Sequence, residues 1–151
     1  MMTEPSDCVV DTSVLQKANA PIRHSPRKAS DFVKRLRLLE SIRDGHTRVL
    51  ISKSLINEYR RQIREPRNDH VKAFLELLTA STDRVRFNWK RRWSGADREK
   101  ARRCRYPAED DHVLRTAIQP QGSTILTEEY RMLISDACIY RAFGIHIKAL
   151  G

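Results

Sequence analysis

The stretch "CVVDTSVLQKANAP", Cys8 to Pro21, ends a short apolar run on a carboxylate. Cys8–Val10 reads as a buried strand, because short runs rich in β-branched residues fill the interior of parallel sheets. Asp11 follows at once, then Thr12 and Ser13. An acid in that place has two uses. It can cap a helix, as short polar side chains do. It can also stand at the carboxyl end of a strand, where open α/β sheets build their sites.

The rest of the chain repeats this alternation. "RVLIS" from Arg48, "STILT" and "IHI" read as strands, and "RVRF" as an edge strand. Between them lie amphipathic helices. In "SDFVKRLRLLESIRDG" the residues Phe32, Val33, Leu36, Leu39 and Ile42 fall at helical spacing, and Gly45 follows the end. "SKSLINEYRRQI" opens on Ser52 as a candidate cap and is ended by Pro66. "DHVKAFLELLTAS" puts Val71, Phe74, Leu75 and Leu78 on one face. "EDDHVLRTAI" starts with acids that suit a helix dipole, and "EEYRMLISDACIYRAFG" reads as one helix closed by Gly144. This order predicts an α/β fold with a parallel sheet and helices on its faces.

Composition narrows the class. The 151 residues suggest one domain, and 40% hydrophobic content suffices for one core. No apolar run approaches the roughly 20 residues of a membrane span. The polar, acidic start "MMTEPSD" does not read as a secretory signal. Cys8, Cys104 and Cys138 are an odd number without a Cys-x-x-Cys pair, which predicts a reducing compartment, the cytoplasm, with neither a disulfide framework nor a zinc cluster.

The net charge of +10 speaks to partners. Much of it is local. From Arg84 to Arg105 there are ten Arg or Lys and two acids, which is +8 in one stretch. Trp89, Lys90, Arg91, Arg92, Trp93, Arg98, Lys100, Arg102 and Arg103 make up its centre. Cations neutralise phosphates and aromatic rings stack on unpaired bases, so this segment is expected to contact nucleic acid.

Acids from distant parts of the chain fall at the same end of the predicted sheet. Asp11 follows the first strand, and Glu58 lies one to two turns into the helix after the second. Glu109, Asp110 and Asp111 open a helix, and Glu128 and Glu129 follow "TILT". Clustered carboxylates raise one another's pKa, and a hard divalent cation removes that cost. Mg²⁺ or Mn²⁺ in such a site can activate water against a phosphodiester. His112 is expected to turn its ring away from the acids, one helical position on from Asp111.

Four of these stretches, taken in order, resemble the PIN domain, a nuclease fold shared by toxin ribonucleases and RNA-processing enzymes. "VVDTSVL", "ISKSLINEYRRQI", "YPAEDDHVLRTAI" and "TILTEEYRML" are similar to its four motifs, from Asp7 to about Ile147. The resemblance implies a three-layer α/β/α sandwich with a central, mostly parallel sheet of four to five strands. It implies a single domain over 1–151, with 1–6 flexible and 88–106 a basic loop or short helical insertion. It implies Asp11, Glu58, Asp111 and Glu129 as catalytic, metal-binding carboxylates, with Thr12, Ser13, Asp110 and Thr127 in support. The implied activity is a Mg²⁺- or Mn²⁺-dependent endoribonuclease, with RNA as substrate. A catalytically weak or inactive nucleic-acid-binding module is the alternative, and a toxin masked by a small acidic antitoxin-like protein is a third reading. Family members often pair into homodimers. The chain departs from the family at Glu129, where Asp is usual, and at Arg131, where a second Asp is frequent.

Overall fold

The computed structural model describes residues 6–21, 29–80, 84–87, 93–118 and 123–150. Strand β1 (Ser6–Val10) leads through α1 (Thr12–Ala18) and α2 (Ala29–Arg43) to β2 (Thr47–Ile51). Then come α3 (Lys53–Gln62), α4 (Asp69–Thr79) and β3 (Val85–Phe87). α5 (Gly95–Arg103), a 3₁₀ turn (Ala108–Asp110) and α6 (Asp111–Ala117) precede β4 (Thr124–Leu126). α7 (Tyr130–Leu133), α8 (Asp136–Phe143) and β5 (His146–Lys148) complete the described chain.

Among the described residues, five strands form one sheet in the order β3-β2-β1-β4-β5, and every neighbouring pair is parallel. The expected α/β/α architecture holds, and the sheet is wholly parallel. Its centre is apolar because it is covered on both faces: Val9, Val10, Val49, Leu50, Ile51 and Ile125 are buried. Register is reinforced by charge where β1 and β2 pair, since Asp7 lies opposite Arg48 and accepts a hydrogen bond from its Nε at 2.6 Å. Strand order reverses between β1 and β4. Right-handed crossovers send the helices before and after that reversal to opposite faces, so a crevice opens at the carboxyl ends of these two strands.

Local signals act as the sequence suggests. The Ser52 side chain accepts from Leu55 N–H at the start of α3. Gly144 closes α8 at φ 72°, a left-handed conformation that costs a side-chain residue more than glycine. Val71, Phe74 and Leu78 of α4 are buried, as are Leu39 and Ile42 of α2, whereas Val33 is exposed.

Two expectations are corrected, and one further helix is found. The single helix over 128–144 is two helices, broken at Ile134–Ser135, where the Ser135 hydroxyl turns back to the Met132 carbonyl at 2.6 Å. The turn from Asp11 continues into α1, a helix of only seven residues, too short to show a clear period. Cys104 and Cys138 form a disulfide that ties the end of α5 to α8. They are 34 residues apart, and only the packing of α5 on α8 brings them together. The cysteines therefore give no argument for a reducing compartment. The third, Cys8, is free and buried, and burial pushes its thiol up to about 12. Among the described residues, no helix is long and apolar enough to cross a membrane.

Candidate active site

Asp11 stands at the β1 side of the crevice. Its N–H continues the ladder to Leu126 O at 2.9 Å, so its backbone is fixed by the sheet. It occupies the N-cap position of α1, yet its side chain caps nothing. Instead Oδ2 accepts from Ser13 Oγ at 2.7 Å and from Thr127 Oγ1 at 2.8 Å. The two hydroxyls are themselves seated by backbone: Glu128 N–H donates to Ser13 Oγ, and Glu129 N–H to Thr127 Oγ1. Asp11 is only 4% exposed. Burial raises its pKa, and Glu129 and Glu58 add to the rise, against the two hydroxyls.

Asp110 approaches from the 3₁₀ turn. Tyr106 Oη, itself buried, donates to the Asp110 carbonyl at 2.7 Å and fixes the turn. Burial, a proton shared with Glu129 and the nearby Asp11 together push the Asp110 carboxyl up to about 8. Its Oδ2 is buried without a hydrogen-bond partner. Asp111, expected as the main acid here, instead pairs with Arg102 of α5. The reason is rotation. The 3₁₀ turn ends at Asp110 and α6 starts at Asp111, so the two side chains diverge and Asp110 takes the place beside Asp11.

Glu58 comes from α3, whose register is set by Tyr59: its hydroxyl donates to the Val10 carbonyl at the end of β1. His112 Nε2 meets Glu58, and this contact lowers the carboxyl's pKa. His112 was expected to face away. It does turn from Asp110, but α3 packs there, so the ring lands on Glu58 and not in solvent. The buried Thr12 hydroxyl, which lacks a full hydrogen bond, also faces Glu58 and adds to the lowering.

Other acids leave the cleft. Glu128 is held by Arg35 through two bonds of 2.7 and 2.6 Å, with Lys17 at 3.8 Å. Arg131 pairs with exposed Glu109 at 2.8 Å, so the cation at this departure from the family motif is engaged at the rim.

The donor set is entirely carboxylate and hydroxyl oxygen, which suits a hard divalent cation. The partnerless Asp110 Oδ2 and the raised pKa of Asp11 and Asp110 are the marks of a site short of positive charge. Among the described residues no three His, Cys, Asp or Glu side chains already stand at ligand spacing, so an ion would draw the acids together.

The basic segment is partly visible. Trp89, Lys90, Arg91 and Arg92 lie outside the described residues. Ser94 starts α5 with a capping box to Asp97. Trp93 stacks on Phe143, ring centres 6.5 Å apart and 11° from parallel, and packs against the core. Phe143 takes one face of the ring. Arg102 pairs with Asp111, Arg103 with Glu99, and Lys100 lies 5.8 Å from the Phe143 ring centre. Arg98 is exposed.

No curated protein and no solved structure matches the chain. Residues 7–131 match the family model of the PIN domain, whose members are generally nucleases and commonly use divalent metal ions. That span takes in Asp11, Glu58, Asp110 and Glu129 and most of the sheet, and the chain belongs to the PIN-domain family.

Proposed function

We propose that the chain is a divalent-metal-dependent endoribonuclease. The observation that carries this reading is the meeting of Asp11, Asp110 and Glu129 at the strand-order reversal, with Asp110 pushed up to about 8 by burial and by the acids beside it. Asp11, Asp110 and Glu129 would hold Mg²⁺ or Mn²⁺, with Glu58 beside them. Bound there, the ion would neutralise the clustered charge and make a water more acidic. The chain's own residues do the rest. Ser13 and Thr127 fix the Asp11 carboxylate by Oδ2. His112 and Thr12 keep Glu58 ionised and in place. Exposed arginines bind the phosphate backbone and oppose charge that develops on the phosphorus.

The test is cleavage of a labelled single-stranded RNA in Mn²⁺ by the wild type and by Asp11→Asn. The variant should lose at least about a hundredfold in rate while keeping its fold and its RNA affinity. Equal cleavage by both would remove Asp11 from the mechanism.

A second reading, a nucleic-acid-binding module without cleavage, draws on the absence of a ready-made ligand set among the described residues. It predicts RNA binding with no turnover at any Mn²⁺ concentration.

A further inference from the structure

Of the α5 cations, Arg102, Arg103 and Lys100 are spent on contacts within the chain. A second basic cluster is not. At the C-terminal end of α3 the sequence runs "RRQIREPR", Arg60 to Arg67. Arg61, Arg64 and Arg67 line an open groove of about 440 Å³ together with Gln16, Asn19 and Gln62. All three arginines are exposed, and none forms an ion pair with a described acid. Glu65 is the one carboxylate in the lining.

The groove is firmly built. Asn19 Nδ2 donates to the Glu65 carbonyl at 3.1 Å, and Asn19 Oδ1 accepts from Arg67 N–H at 2.7 Å. Asn68 Nδ2 donates to the carbonyls of Ala18 and Ala20 at 2.7 and 2.9 Å. Gln16 Nε2 bridges to Gln62 Oε1 at 2.9 Å. The segment carrying Arg64 and Arg67 is thus strapped to the end of α1, and its cations project from a fixed backbone. The cluster is also continuous with the cleft: Arg61 follows Glu58 by one turn of α3 and lies near enough to act on its charge.

We propose that this groove, through Arg61, Arg64 and Arg67, binds the phosphodiester backbone of a nucleic-acid strand leading away from the carboxylate cleft. A row of guanidinium groups that pair with no described acid, flanked by amide donors, suits successive phosphates, since each fork can bind two oxygens. That the strand is RNA rests on the function proposed above.

Binding is measured by fluorescence anisotropy in EDTA, where no metal-dependent cleavage occurs. The probes are oligouridylate and oligothymidylate of about 20 nucleotides. The variant Arg61→Gln/Arg64→Gln/Arg67→Gln is compared with Arg98→Gln/Lys100→Gln/Arg103→Gln, and thermal melts confirm that both fold. Three lost phosphate contacts should lower the slope of log K against log salt by about 2 and weaken binding at least about tenfold at low salt. The α5 variant should change both less. An unchanged slope and affinity in the groove variant would overturn the proposal and leave the nuclease reading standing. A larger loss in the α5 variant would overturn it too and give the strand to that helix. Weakened binding of oligothymidylate alone, with oligouridylate bound as before, would keep the groove as a backbone site but refute RNA as its strand. A wild type that binds neither probe would overturn both the groove and RNA as substrate, whereas Asp11→Asn cleavage tests the carboxylates separately.

Discussion

Replacing Asp110 by Asn should stabilise the metal-free protein at alkaline pH and do little at pH 4. The Asp110 carboxyl is pushed from its ordinary 3.8 up to about 8. The folded state therefore holds a proton that the unfolded chain has already released, and stability falls as pH rises between these values. It is fully present below about pH 4 and lost above about pH 8. Four pH units at about 1.4 kcal/mol each set a ceiling near 6 kcal/mol. Water reaches the pair through exposed Glu129 and screens it, which brings the expected cost to about 2 kcal/mol. For a chain of this size that corresponds to roughly 4–8 °C in Tm. Asn keeps the shape of the protonated acid and has nothing to titrate. The assay is a set of thermal melts of both proteins in EDTA from pH 4 to 9.5. Titrating groups outside the cleft are shared, so the difference in Tm isolates Asp110 together with the Glu129 that shares its proton. The variant should gain on the wild type progressively from pH 4 to 8. Saturating Mn²⁺, at about a hundred times its Kd, should then return about 2.7 kcal/mol to the wild type and much less to the variant. A Tm difference that stays constant across the pH range would refute the assignment of the raised pKa to Asp110.

Two further outcomes follow from the same contacts. His112→Ala should weaken Mn²⁺ binding about 10–100-fold by calorimetry, because a carboxylate that loses its supporting partner is less well aimed, while His112→Gln, which keeps a donor, should recover part of it. Cys104→Ser/Cys138→Ser should lose about 4 kcal/mol in urea unfolding, the scale expected for closing a loop of 34 residues, and reducing agent should do the same to the wild type and nothing to the variant.

Much of the fold is visible in the sequence because each strand is a short run of β-branched or apolar residues followed by a polar break. "CVVD" and "TILTEE" thereby place Asp11 and Glu129 at adjacent strand ends. Ser52 and Gly144 act locally, and local chemistry can be read. What was not legible depends on turns and on packing between elements. Asp110 and Asp111 differ by one position, and the choice between them is made by a three-residue 3₁₀ turn with no strong signature. His112 could be placed relative to its own helix but not relative to α3. The α5 cations looked free because the sequence does not show that Arg102 meets Asp111 or that Trp93 meets Phe143. Nothing in the sequence singles out the arginines at 61, 64 and 67, because the straps from Asn19 and Asn68 exist only once the chain is folded.

The two oxygens of Asp11 are not equivalent. Ser13 and Thr127 each have one hydroxyl proton, and both protons go to Oδ2. Each hydroxyl oxygen in turn takes a peptide N–H from the turn after β4. The dipoles of two backbone amides are thus relayed to a single carboxylate oxygen, while no hydrogen bond from a described residue reaches Oδ1. The group behaves as a hinge with one pinned end. Whatever arrives at the crevice meets an oxygen already held still, with its lone pairs undivided, and the side chain gives up little rotational freedom on engaging it.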